Sequence, residues 1–169
     1  PRNHSSAASD VYKRQDLADL MKDSNFEFYL AGDIDNGNPD SLSKSQLDEI
    51  KNNKSINYLG HIDISKELHN YDVNLVMSKY EGSSRILLES LYIGLICLSN
   101  NIPGTIELGS KFSNSFFIDD NNIREFKEKL NEIINYDVFL DDSQNSFFGK
   151  GAEYNSCLLY TSPSPRDIG

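Results

Sequence analysis

Short apolar runs alternate along this chain with stretches in which apolar residues fall three or four positions apart, the pattern of strands alternating with amphipathic helices. Asp16 to Lys22 reads as the end of a helix, and Asn25-Phe-Glu-Phe-Tyr-Leu-Ala31 as a strand ending at Gly32-Asp33. A polar turn with Gly37 and Pro39 follows. Ser43 starts a helix to about Lys51 with Leu47 and Ile50 inward, and Ile56 to Leu59 is a short strand ending at Gly60-His61. Ser65 is expected to cap a short helix containing Leu68, and Asp72 leads into a buried strand at Val73 to Met77. Ser84 is the next N-cap, with Ile86, Leu87, Leu91 and Ile93 recurring at helical spacing until Gly94 stops the helix. Leu95 to Ser99 is a strand, Asn101-Ile-Pro-Gly104 a turn, and Thr105 to Leu108 a short helix. Ser115 to Ile118 reads as the last strand, and Asn122 begins an amphipathic helix with Ile123, Phe126, Leu130, Ile133 and Ile134 on one face. Repeated strand-helix units with short loops predict an α/β fold, a Rossmann-like doubly wound parallel sheet.

Both ends break that rhythm. Ser5 to Gln15 and Cys157 to Asp167 resemble in-frame translations of the two opposing adapters of a transposase-based sequencing library. Foreign tails are set aside before fold reasoning. Residues 1–15 and 157–169 are therefore expected to be foreign, and residues 16–156 a partial domain. Cys97 then stands alone in an apolar strand, which fits a core cysteine and neither a disulfide framework nor metal-ligand spacing. The chain carries 26 acidic against 16 basic side chains, a formal charge of −10, and the trimmed segment is more acidic still. Such a surface disfavours nucleic acid and anionic lipid as partners. No apolar stretch is long enough to span a membrane.

Chemistry concentrates in Glu81-Gly-Ser-Ser-Arg-Ile-Leu-Leu-Glu89, which follows the buried strand. Glu89 rides the helix and Glu81 lies in the loop before it. Gly82, Ser83 and Ser84 bring backbone N–H groups to a positive helix end, where a phosphate or a partly negative sugar oxygen is stabilised. A carboxylate for hydroxyls beside amides for anions suits a nucleotide sugar. The carboxyl end of a parallel strand is also where open α/β sheets bind ligands. Two glutamates flanking a helix start are otherwise common solvated side chains.

Gly32-Asp33 after a strand, Tyr58-Leu-Gly-His61, the strand ending in Ser78, Glu81 to Glu89, Leu95 to Ser99, and Asn101-Ile-Pro-Gly-Thr-Ile-Glu107 fall in one order and spacing. In these the segment resembles the C-terminal domain of GT-B glycosyltransferases of family 4, closest to bacterial members that build capsular polysaccharide, O-antigen or lipid-linked oligosaccharide. The resemblance implies one incomplete half of a GT-B fold and a retaining transfer of a hexosyl or N-acetylhexosaminyl group. The implied donor is a UDP- or GDP-sugar, with no further cofactor and no metal. Glu89 would accept the ribose hydroxyls, and Glu81 would act at the donor sugar near its anomeric centre. Gly82, Ser83, Ser84 and Arg85 would line the diphosphate and sugar, the Arg85 guanidinium being free to add to phosphate binding. Gly60, His61 and Ile62 would pack the nucleobase, with Gly32 at the neighbouring strand end. Two serines at positions 83 and 84 depart from the family pattern, which often has a bulkier apolar residue followed by Pro or Gly. Pro103, Gly104 and Thr105 would face the interdomain cleft. The family's main phosphate-binding Arg and Lys would lie upstream of Asp16, so the fragment alone is expected to be inactive. A glycan or polyprenyl-linked acceptor, and any membrane contact, would come through a missing N-terminal domain, in the cytoplasm or at the inner face of the plasma membrane.

Three other readings stay open on the residues. Asp33-Ile34-Asp35 has the spacing of a metal-binding D-x-D motif, but its place in a strand-helix loop favours turn chemistry. A GT-B-type nucleotide-sugar epimerase would show the same donor site. A non-catalytic Rossmann-like or receiver module would show repeated strand-helix units, yet no lysine follows a late strand as a receiver requires.

Overall fold

Every strand expected from the apolar pattern forms in the computed structural model, which describes residues 6–32, 34, 43–78, 84–119, 122–135 and 156–160. The helices are α1 Ser6–Leu20, α2 Lys44–Asn52, α3 Ile64–Glu67 with a 3₁₀ turn at Leu68–Asn70, α4 Arg85–Tyr92, α5 Pro103–Gly109 and α6 Ile123–Asn135. The strands are β1 Glu27–Ala31, β2 Ile56–Gly60, β3 Val73–Val76, β4 Ile96–Asn100, β5 Ser115–Ile118 and β6 Ser156–Tyr160. They make one sheet in the order β2-β1-β6-β3-β4-β5, with every pairing parallel.

Period-two alternation sends each strand's side chains to two separate cores. Phe28, Leu30, Val73, Leu75, Ile96, Leu98 and Leu159 face Leu17, Ala18 and Met21 of α1, Ile50 of α2, and Phe126, Leu130 and Ile133 of α6. Ala31, Val76, Cys97 and Leu158 face Leu68 and the α4 residues Ile86, Leu87 and Leu91. Helices on both faces of a parallel sheet make the fold doubly wound, as expected.

Local chemistry sets the helix ends. Ser43 and Gln46 form a capping box, the Ser43 hydroxyl accepting from the Gln46 amide while the Gln46 side chain accepts from the Ser43 amide. Asn122 Oδ1 accepts from the amides of Arg124 and Glu125 at the start of α6. Gly94 closes α4 at φ +91°, a conformation only glycine adopts cheaply.

Three local expectations are corrected. The N-cap of α3 is Asp63, which pairs with Lys66 at 2.7 Å, and Leu68 lies in the 3₁₀ turn rather than in the helix. Ile93 is exposed, because it falls past the last turn of α4 and rotates off the buried stripe. The strand at Ser115–Ile118 is not the last, since Ser156–Tyr160 adds β6 in mid-sheet. Residues 16–20 are the end of helix α1, as expected, and the helix begins at Ser6 with Arg14 and Gln15 buried.

Gly109 of α5 packs closely against β5. A Cβ there would collide with Ser115 Oγ and lie 2.9 Å from Phe117 Cζ on β5. Gly109→Ala is expected to lower the unfolding free energy in urea by about 1–3 kcal/mol through overpacking. An unchanged midpoint would mean that β5 yields freely.

Candidate functional site

A doubly wound sheet opens its ligand crevice outside the carboxyl ends of the strands, at the point where successive strands reverse their direction of travel. Here β1 to β2 steps one way and β3 to β4 to β5 steps the other. The crevice is therefore bordered by Ala31-Gly32 at the end of β1 and by Val76 to Ser78 at the end of β3.

Two sets of hydrogen bonds hold this edge. On one side the Gly32 amide donates to the Gly60 carbonyl at 2.9 Å, and the Tyr58 hydroxyl donates to the Gly32 carbonyl at 2.8 Å. Gly60 has φ +71°, so a side chain there would be strained although space is open around it. The structure thus brings the predicted residues Gly32 and Gly60 together. His61 is exposed just beyond them, whereas Ile62 packs against the core beneath α4.

On the other side, buried Asn100 at the end of β4 donates through Nδ2 to the Ser78 carbonyl at 2.7 Å. Thr105, fully buried on α5, donates its hydroxyl to the Asn100 carbonyl, and the Ile102 amide donates back to Thr105 Oγ1. Asn101 reaches Asp119 beyond β5. These side chains tie three adjacent strand ends together, and the segment after Ser78 leaves from that anchored point. The sequence reading missed Asn100. Its signal was an Asn closing an otherwise apolar run, which is costly when buried unless hydrogen-bonded. Asn100→Ala is expected to cost about 1–3 kcal/mol in urea unfolding, because the Ser78 carbonyl loses a buried donor. A loss below a few tenths of a kcal/mol would remove Asn100 from the anchor.

Helix α4 hangs from β3 through a second buried pair, Asn74 Nδ2 donating to Ser90 Oγ at 2.8 Å. Ser84 is the N-cap, its hydroxyl accepting from the Leu87 amide at 3.4 Å. Glu89 sits one turn further along, 31% exposed, and Arg85 Nε donates to its Oε1 at 2.9 Å. The Arg85 guanidinium expected to be free is thus paired with Glu89, because the two residues are one helical turn apart. Glu89 also borders a shallow depression of about 220 Å³ with Leu68, Tyr92 and Ile93. Cys97 lies under α4, where burial pushes its thiol well above the ordinary range, opposed by a hydrogen bond with Ser90. It is a core residue, as its apolar setting implied.

Glu81, Gly82 and Ser83, with Asp33 and Asp35 of the D-x-D spacing, lie outside the described residues. In sequence both groups come shortly after the strand ends that border the crevice. Among the described residues, no helix is long and apolar enough to cross a membrane.

A capped helix bearing an acidic side chain thus follows the strand at the switch point of an all-parallel sheet. The chain belongs to the family described as Glycosyl transferases group 1, which matches residues 9–147. It is also similar to an "Uncharacterized 42.6 kDa protein in cps region" of Klebsiella pneumoniae, 27% identical over 133 residues. That alignment covers 78% of this chain and 32% of the relative, so the chain spans about a third of the relative's length. No solved structure matches it.

Proposed function

We propose that this chain is the donor-binding half of a retaining GT-B glycosyltransferase of family 4, which moves a hexosyl or N-acetylhexosaminyl group from a UDP- or GDP-sugar to a glycan or polyprenyl-linked acceptor. The observation that carries the reading is Glu89, half-buried on a capped helix that follows β3 at the switch point of the sheet. An ionised carboxylate on a rigid helix accepts two vicinal hydroxyls, and charge-assisted bonds are the stronger kind. Ribose hydroxyls fill that role, and Glu81 acts at the donor sugar. The backbone amides of Gly82, Ser83, Ser84 and Arg85 line the diphosphate and sugar. Arg85 supports this assignment. A cation at a helix N-terminus opposes the helix dipole, and a bound diphosphate would turn that repulsion into attraction. Gly60, His61, Ile62 and Gly32 form the edge against which the base packs.

No metal or other cofactor enters this reading. The acceptor and any membrane contact belong to a further domain of the longer protein. Capsule or related surface polysaccharide is the product class, in keeping with the cps-region relative. The protein would work in the cytoplasm or at the inner face of the plasma membrane, where nucleotide sugars meet lipid-linked acceptors.

The experiment is turnover of UDP- and GDP-sugars by the full-length protein with and without a polyprenyl-linked acceptor. Glycosylated acceptor with retained anomeric configuration is the expected result. Free nucleotide and rearranged sugar without acceptor would make it an epimerase. The absence of any nucleotide-sugar binding would leave a non-catalytic module.

A further inference from the structure

We propose that Asn74 and Ser90 are positioning residues, whose buried hydrogen bond sets the rotation of α4 and with it the place of the Glu89 carboxylate, rather than the stability of the domain. The proposal rests on Glu89 as the contact for the donor's hydroxyls. Asn74 and Ser90 touch no ligand themselves, since both are fully buried between β3 and α4.

A chain of hydrogen bonds runs through three elements at this point. Asn74 Nδ2 on β3 donates to Ser90 Oγ on α4 at 2.8 Å. Having accepted there, the Ser90 hydroxyl keeps its own proton for the Cys97 sulfur on β4, and the Cys97 thiol donates to the Leu95 carbonyl at 3.7 Å. Cys97 stands beside Asn74 in the parallel register of β3 and β4, so one serine on the helix bonds to two adjacent strands. Ile86, Leu87 and Leu91 share its buried stripe. Their attraction to the sheet is non-directional and tolerates rotation, whereas a hydrogen bond weakens steeply as its angle closes. Of the other bonds described for α4, the Ser84 cap and the Arg85–Glu89 pair lie within the helix, and Asn114 Nδ2 holds the Leu91 and Leu95 carbonyls at its far end.

Glu89 directly precedes Ser90, about 100° away around the helix. Its carboxylate stands roughly 5 Å from the helix axis, so a turn of about 10–20° carries it about 1–2 Å. Ligand-binding groups must be held more closely than that, and about 1 Å of misplacement can cost a hundredfold. A further observation separates position from stability. Asn74 Oδ1 is buried with no hydrogen-bond partner among the described residues. An unpaired buried acceptor is a cost that an apolar side chain avoids, and replacing both members of a buried pair by apolar groups of similar shape can be neutral or stabilising. For stability alone an apolar pair serves this place at least as well. What it cannot supply is direction.

The test combines Asn74→Val with Ser90→Ala, once with Glu89 present and once with Glu89→Ala. Valine suits a strand and is close to asparagine in size, and alanine matches serine. In urea unfolding of this chain the pair variant is expected at the wild-type midpoint or above it, and Ser90→Ala alone below it, because Asn74 Nδ2 is then left unpaired. In the full-length protein, calorimetric titration with UDP- and GDP-sugars is expected to show donor affinity weakened about tenfold by the pair variant. With Glu89→Ala already in place, the same change is expected to weaken it less than about twofold, since the carboxylate it positions is gone. Ser90→Ala alone should show the same dependence on Glu89. Unchanged affinity in the pair variant, an equal loss in both Glu89 backgrounds, or a midpoint below that of Ser90→Ala alone would each overturn the proposal. So would loss of cooperative unfolding, which would make the pair a prop of the domain. If no nucleotide sugar binds, or if Glu89→Ala by itself leaves affinity unchanged, the ribose reading fails first and the proposal falls with it; that single variant tells the two failures apart.

Discussion

Glu89→Ala in the full-length protein is expected to weaken nucleotide-sugar binding by about ten- to a hundredfold in calorimetry, with folding intact. A hydrogen bond to a charged acceptor contributes about 1.5–3 kcal/mol, and each 1.4 kcal/mol is tenfold in affinity. Its carboxylate is partly exposed and, among the described residues, its ion pair is a surface pair with Arg85, worth about 0.3–0.5 kcal/mol, so the helix survives its loss. Arg85→Ala separates the two roles of that pair. It frees Glu89 and removes a cation from the helix start, and it is expected to shift donor affinity far less than Glu89→Ala does. Equal affinities for wild type and Glu89→Ala would sink the ribose role, and a larger effect from Arg85→Ala would transfer the main contact to the guanidinium.

Phe126→Ala is expected to lower the unfolding free energy by about 3–5 kcal/mol, the range for deleting a buried aromatic ring. Phe126 is fully buried where α6 meets α1 and the sheet, among Leu17, Met21 and the inward residues of β1, β3 and β4. With whole domains stable by only about 5–15 kcal/mol, that loss would remove a large fraction of the total. Urea unfolding followed by circular dichroism measures it. A cost below about 1 kcal/mol would show that this core collapses around the gap instead of keeping a cavity.

The candidate site was legible where a single side chain does local work. Ser84 as N-cap, Gly94 as helix stop, Gly60 at a strand end and Cys97 as a core residue follow from residue type and immediate neighbours, since capping, positive φ and burial within an apolar run are short-range properties. What the apolar pattern could not reveal were bonds between segments distant in sequence. Asn100 reaches back 22 residues to Ser78, Tyr58 reaches 26 to Gly32, and Asn74 reaches 16 forward to Ser90. Each looks like an ordinary polar residue until the sheet sets its partner opposite. Arg85 was misread for a different reason, because its partner lies one helical turn away and competes with any ligand for the same guanidinium.

By itself the sequence determined the alternation of strand and helix, the two-faced burial that makes the sheet doubly wound, and the place of the Glu81 to Glu89 segment after a buried strand. Those follow from periodicity, which each segment carries within itself. The order of strands and the anchor at Ser78 were decided only by tertiary structure. The physical reason is that strand order and the bonds between strand ends join segments distant in sequence, and the periodicity of one segment carries no record of its neighbours.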